Sequence, residues 1–233
     1  MGAGVFSGES SNPGGGCFWV SFTNTPDATS QDSTVGIVTS VTSAGLEVNT
    51  LSTNVLAFGA KYEASSVPTS YIPTAGATAT RAADLVTVPA ANLPYNATNM
   101  SIQMDGLMTY ADNGLQIEVL FYEQRFNSLN YISSSLSTLT SRVGLPIFSQ
   151  RDGVSGLDEV GGGISDFTPG VNVPFSIASR HGSTFINGAV DGVSLTADLT
   201  PTALPDLSAT DLNLAYSGGP MIISKFRMWA DDL

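Results

Sequence analysis

The sequence is poor in charge, and above all in positive charge. Only 12% of its residues are Asp, Glu, Lys or Arg, and the basic ones number eight, two Lys and six Arg. Phosphate backbones are gripped by clustered cations. These eight are scattered singly, which excludes a nucleic-acid-binding surface built on a basic patch. The net charge of −12 favours solubility and works against anionic membrane surfaces. Cysteine occurs once, at Cys17, so no intrachain disulfide can form and a zinc site built on cysteines is excluded by number. Histidine also occurs once, at His181. No stretch approaches the roughly 18 apolar residues of a membrane-spanning helix. The opening residues MGAGVFSGESSNPGGG lack the basic and apolar regions of a secretory signal, and Phe6 stands where myristoylation requires Ser or Thr. The expectation is a protein made and assembled in the cytoplasm, on which the sequons at Asn96 and Asn99 would carry no glycan.

Helical periodicity is also scarce. The best stretch, 127–143, spaces Leu129, Ile132, Leu136 and Leu139 three to four apart, but its many Ser and Thr weaken a helix, so it reads as strand or loop. What is present instead is a 42% hydrophobic content in short runs, with 24 Gly and 12 Pro between them. That pattern describes many short strands joined by turns. CFWVSF, VGIVTSV and VLAFGAKY read as strands in the first quarter of the chain. In LQIEVLFYE, alternation predicts Leu115, Ile117, Val119 and Phe121 on one face and Gln116, Glu118 and Tyr122 on the other. DLNLAYS places Leu212, Leu214 and Tyr216 together. MIISKFRMW predicts Ile222, Ser224, Phe226 and Met228 opposite Ile223, Lys225, Arg227 and Trp229. Asn187-Gly188 between two apolar runs predicts a type I′ hairpin turn. The fold class expected is all-β, a two-sheet antiparallel sandwich of jelly-roll type. The predicted organisation is a flexible arm over 1–16 and a short β-rich segment over 17–64, either docking or joining the sandwich. A Pro-rich irregular connector over 65–84 and a sandwich domain over 85–233 follow.

The string FGAKYEASSVPTSYIPTAGATATRAAD, residues 58–84, resembles a connector of tailed-phage tail and head-surface proteins. The matching positions are Gly59, Ala60, Glu63, Pro68 to Thr74, and Arg81 to Asp84. In such proteins the connector leads into a concanavalin A-like, laminin-G-like sandwich, which the resemblance implies for the residues that follow. PFSIASRHGSTFINGAVDGVSL is similar, by pattern, to a hairpin of that fold, and ISKFRMWADDL to its closing strand.

Sandwiches of this kind can host glycosidases, which need two carboxylates flanking the scissile bond, about 5 Å apart in the retaining class. Glu118 and Glu123 are five apart and would face opposite ways on a regular strand. His181, in SRHGS, reads as an exposed turn residue rather than a general base. No nucleophile elbow and no His-Glu-x-x-His motif occurs. The expectation is therefore no catalytic residue and no enzyme. No metal site is expected, although RDGVSGLDEVGGG offers Asp152, Asp158 and Glu159 to calcium on a glycine-rich loop. Trp19 and Trp229 read first as core or edge packing, with stacking on a sugar as the alternative for each, while Tyr71, Arg81 and Asp84 read as anchors of the connector. No ligand-binding residue is thereby assigned.

The function these readings imply is a virion structural protein on the capsid or tail exterior of a tailed phage or phage-like particle. It would serve as a capsid decoration or as a spike or fibre component. Its partners would be other virion proteins in a homo-oligomeric arrangement, with host-surface glycans as a ligand that the resemblance suggests. The alternatives are a bacterial secreted or surface lectin and a polysaccharide-degrading enzyme. Genomic neighbourhood separates the first from the virion reading, and depolymerase activity separates the second.

Overall fold

The computed structural model describes residues 72–73, 75–80, 84–154, 156–161, 167–217 and 220–233. It also gives four two-residue strands, β1 (Ser10–Ser11), β2 (Trp19–Val20), β3 (Ser40–Val41) and β4 (Glu47–Val48). β1 pairs with β2 and β3 with β4, each antiparallel. The chain divides into two compact units, Met1–Arg81 and Ala82–Leu233. CFWVSF and VGIVTSV lie outside the described residues apart from β2 and β3, and VLAFGAKY lies wholly outside them. Within the connector, residues 75–80 form no regular element.

The second unit is an antiparallel β-sandwich. Its strands are β5 (Val86–Val88), β6 (Asn99–Tyr110), β7 (Val119–Asn127), β8 (Asn130–Ser137), β9 (Leu145–Asp152) and β10 (Leu157–Gly161). They continue as β11 (Gly170–Gly182), β12 (Ile186–Val190), β13 (Val193–Ser194), β14 (Leu212–Ser217) and β15 (Met221–Trp229). One sheet has the order β10-β9-β8-β7-β14-β5 and the other β13-β12-β11-β6-β15. The chain crosses between sheets after β5, β6, β10, β13 and β14, giving the two-sheet jelly-roll architecture expected from the sequence. A 3-10 turn at Ala90–Asn92 is the one helical element among the described residues, so no helix there is long and apolar enough to cross a membrane.

The core lies between the sheets. Met100, Ile102, Met104 and Met108 of β6 and Phe175 and Ile177 of β11 are buried against Val119, Phe121, Ile132, Leu136, Phe148, Leu212 and Leu214. Phe121 and Phe175 meet across the interface with ring centroids 4.9 Å apart, a tilted aromatic contact. The segment after β13 brings Leu204 and Leu207 into the same core, fixed by Gln124 Nε2 donating to the Leu207 and Thr210 carbonyls at 3.1 and 2.9 Å.

Two β-bulges, in β7 and β15, change which of the predicted side chains reach that core, and alternation along the sequence misses both. In β7 the register shifts between Leu120 and Tyr122, inserting Phe121 as an extra residue. Phe121 and Tyr122 are therefore both buried, where strict alternation puts them on opposite faces. Leu115 and Ile117, expected beside Val119 and Phe121, precede the strand and are about half exposed. In β15 the shift falls between Ile223 and Lys225. It turns Ile223 inward with Phe226 and Met228 and leaves Ile222 exposed on the side of Lys225, Arg227 and Trp229, reversing the prediction for the first pair. In β14 the shift lies between Leu214 and Ser217, where Ala215 has a φ of 49°. The side chain of Tyr216, expected beside Leu212 and Leu214, lies outside the described residues.

The hairpin turn also moves. Asn187 and Gly188 lie inside β12, and the turn is Asp191-Gly192, with φ of 48° and 81°. Val190 pairs with Val193 across these two residues. Positive φ at both central positions is what a type I′ turn requires, and Asp-Gly supplies it as well as Asn-Gly does. Gly188 is glycine for a different reason. A Cβ there would lie 2.2 Å from the Phe148 ring, so its absence lets the two sheets close.

Candidate functional site: a groove on the outer face of the five-stranded sheet

The strand register lays out a depression of about 380 Å³ on the side of the five-stranded sheet that faces away from the core. One row across the sheet runs Trp229, Ser101, Arg180, Asn187. The next but one runs Arg227, Gln103, Ala178, Ala189, Ser194. Ala178 and Ala189 form a floor because their methyl groups stand low between longer neighbours. Trp229 and Leu233 close one end, while Arg180, Gln103, Asn187 and Ser194 offer polar atoms around the rim. Asn187 Nδ2 donates to Ser194 Oγ at 3.3 Å, and that hydroxyl donates to the Leu195 carbonyl at 3.2 Å.

Arg180 is the best-anchored of these groups. Its Nε and Nη2 donate to the two carboxylate oxygens of Asp232, the second at 2.6 Å, and its guanidinium lies 4.7 Å from the centre of the Phe185 ring. The segment carrying Asp232 is tied back by Ser101, whose Oγ donates to the Asp231 carbonyl at 2.7 Å and accepts from the Leu233 amide at 3.2 Å. Further along the same face, Lys225 Nζ stands 2.9 Å from Asp105, which also accepts from Ser176 Oγ at 2.7 Å.

Chemically, this is a surface of hydrogen-bonding groups around a small apolar floor with an indole at one edge. A sugar ring presents the matching features, a face of C–H bonds for the aromatic and a rim of hydroxyls for amide, guanidinium and hydroxyl groups. Among the described residues no Asp or Glu side chain lines the groove, so they assemble no acid–base pair of the glycosidase kind in it.

The residues singled out in the sequence distribute as follows. Trp229 lines the groove, half-buried. The side chain of Trp19, together with Tyr71 and Arg81, lies outside the described residues. His181 is not an exposed turn residue. It faces inward from β11 and is fully buried, with Nε2 3.0 Å from Tyr122 Oη, which in turn lies 2.6 Å from Ser179 Oγ. The SRHGS string looks like a turn, yet Arg180 and His181 sit in register pairs near the end of a thirteen-residue strand. Burial pushes the His181 imidazole down to about 3 and raises the Tyr122 phenol above its usual range.

Glu118 and Glu123 are each tied up locally. Glu118 accepts from Asn113 Nδ2 at 2.6 Å and Thr138 Oγ1 at 2.9 Å, and Glu123 pairs with Arg125 at 2.5 Å. The bulge at Phe121 removes the regular alternation from which opposite faces were inferred. The proposed calcium loop is largely strand. Asp158 and Glu159 lie in β10, where Asp158 accepts from the Thr202 amide and Glu159 pairs with Arg142. Among the described residues no three His, Cys, Asp or Glu are arranged to hold a metal.

The rim residues Arg180, Asn187, Gln103 and Ser194 went unnoticed in the sequence. One signal was available. Strand faces favour large or β-branched side chains, yet the outward positions of β11 and β12 read Ser176, Ala178, Arg180 and Asn187, Ala189. Small residues there mark a surface that is hollow rather than packed. A second depression, of about 350 Å³, lies between Phe126, Asn130, Asp152 and the 206–210 segment. Among the described residues it holds two carboxylates, no cation and one largely exposed ring, a poorer set of donors for a neutral polyol.

No protein-family model and no curated protein matches the sequence. Among solved structures, the chain is similar to a botulinum neurotoxin type C chain from work on its cell entry through two ganglioside molecules. Identity there is 13% and the TM-score 0.46, covering 64% of this chain and 37% of that one. It is also similar to a single mutant of congerin II, at 12% identity and a TM-score of 0.41, covering 62% of this chain and 99% of that one. A leech intramolecular trans-sialidase complexed with 2,7-anhydro-Neu5Ac matches at 15% identity and a TM-score of 0.45, covering 59% of this chain and 22% of that one. At these levels no residue and no activity carries over to the groove.

Proposed function

We propose that the protein is a non-enzymatic glycan-binding sandwich displayed on the outside of a tailed-phage or phage-like particle, with the outer groove of the five-stranded sheet as its binding face. The glycan part rests on one observation, the convergence of Trp229, Arg180, Asn187, Gln103 and Ser194 around the Ala178–Ala189 floor. The virion part rests on the connector at 58–84, which resembles those of phage tail and head-surface proteins. A bacterial surface lectin would use the same groove, and the connector is what favours the particle over it.

A glycan array probed with the full chain, with and without calcium, tests the binding reading. Binding to a defined set of glycans is expected. Trp229→Ala and Asn187→Ala should each weaken it, the first by about tenfold, on the order of the 1.5 kcal/mol an aromatic contact contributes beyond its buried area. The absence of signal above background, or binding unchanged in both variants, would leave the groove without this role. Electron microscopy of particles from cells expressing the chain tests the second part. Regular density at the capsid or tail surface, lost when the gene is deleted, is expected.

A further inference from the structure

The outward-facing strand residues of the five-stranded sheet carry a charge bias opposite to that of the whole chain. They bring Arg180, Lys225 and Arg227 against a single carboxylate, Asp105. Three of the chain's eight cations thus share one face of a protein whose net charge is −12. Lys225 is neutralised by Asp105, while Arg227 is exposed and makes no ion pair among the described residues. Arg227 stands in register with Gln103, which lines the groove. The remaining cation, Arg180, is met by an acid that does not belong to the sheet. It is supplied by Asp232, from the segment that follows β15.

That pairing has the form of a recognition contact. Two guanidinium nitrogens address two carboxylate oxygens, the geometry by which arginine reads any carboxylate. It is also exchangeable, since the two side chains are 39% and 35% exposed and water reaches both. The Phe185 ring supports the guanidinium from another side. Arg180 therefore remains positioned when Asp232 leaves, and a second carboxylate entering the groove would find the fork already oriented.

We propose, on the basis of the glycan-binding reading, that the groove selects glycans bearing a carboxylated sugar, whose carboxylate exchanges with that of Asp232 on Arg180. Arg227, the cation left without an acidic partner among the described residues, steers the anionic sugar toward Gln103 and the floor. Asp232 is then an internal competitor that keeps the site satisfied when empty and lowers its affinity for acidic ligands. Neutral sugars, whose hydroxyls accept from the Nη1 that Asp232 leaves unengaged and displace no carboxylate, are indifferent to it.

The test uses the full chain and a panel of uronic-acid oligosaccharides, each paired with its carboxyl-reduced counterpart, in which the carboxylate is converted to a neutral hydroxymethyl group. Acidic members are expected to bind more tightly than their reduced partners, with an advantage that shrinks as salt rises. Asp232→Asn should strengthen acidic binding by roughly twofold to fivefold, the range an exposed ion pair represents, and leave reduced ligands unchanged. Arg180→Gln and Arg227→Gln should each remove part of the acidic preference, with thermal unfolding confirming that the variants are folded. Equal binding of acidic and reduced members, or preference for the reduced ones, overturns this selectivity while leaving glycan binding intact. An Asp232→Asn variant with unchanged or weaker acidic binding overturns the competitor role. Binding of neither member of any pair tells against the glycan reading itself.

Discussion

Lowering the pH from about 8 to about 5 should cost the sandwich about 2 kcal/mol of stability through one residue, His181. The imidazole is fully buried between the sheets, and Tyr122 Oη is its single hydrogen-bonding contact among the described residues, with Nδ1 facing no partner. An imidazolium there would lose its hydration and present an N–H with no acceptor, so burial holds its pKa near 3 against an ordinary value of 6.5. The sign follows directly. Below about 6.5 the unfolded chain takes up a proton that the folded protein refuses, and stability falls by roughly 1.4 kcal/mol per pH unit as acidification proceeds. The window is clean because His181 is the only histidine and ordinary carboxylates titrate near 4. Asp105 is held below that range by Lys225 and then by Ser176, and Asp206 by the Ser208 amide and hydroxyl, so what they contribute is lost only at still lower pH. Urea unfolding at closely spaced pH values measures the slope, and His181→Leu should flatten it between about pH 8 and about pH 5. A flat profile in the unmodified protein, or an unchanged slope in His181→Leu, would refute the buried, neutral histidine. Imidazole proton resonances offer an independent check, since they should show no titration near 6.5 while the protein stays folded.

Phe121→Ala should destabilise the sandwich by about 3–5 kcal/mol in the same urea assay, because it removes the inserted bulge residue that meets Phe175. Gly188→Ala should cost about 1–3 kcal/mol, as its methyl group would push against the Phe148 ring. Gln124→Met keeps the volume but leaves the Leu207 and Thr210 carbonyls without their donor, an expected loss of about 1–3 kcal/mol with no change in glycan binding. Lys225→Met removes an exposed ion pair and should shift stability by less than about 1 kcal/mol.

Composition, turn chemistry and short apolar runs were sufficient for the fold class. A chain with so few charges, so many Gly and Ser, and no helical stripe has few ways to bury its apolar residues other than stacked antiparallel sheets. DLNLAYS was legible as a strand with Leu212 and Leu214 inward because strand and register begin together there. MIISKFRMW and the VLFYE half of LQIEVLFYE were legible as strands but not as faces, while Leu115 to Glu118, read as part of the same strand, precede it. A bulge adds one residue without any mark in the sequence, and every side chain beyond it changes sides. The Phe121 insertion is offset by contact with Phe175, distant in sequence, so tertiary packing alone selects it. The same holds for His181, whose local string reads as a turn until Tyr122 and Ser179 close around it.

The groove belongs wholly to the tertiary structure. Its rim comes from β6, β11, β12 and β13, and the residues share a face only because antiparallel pairing brings Gln103, Ala178, Ala189 and Ser194 into one row. The sequence alone determined that this protein would be an acidic β-sandwich without an intrachain disulfide, since composition and strand-length runs are properties of the chain itself. Which side chains face the core, where the one histidine is hidden and where a ligand could be held were decided by register, a relation between strands that no single strand contains.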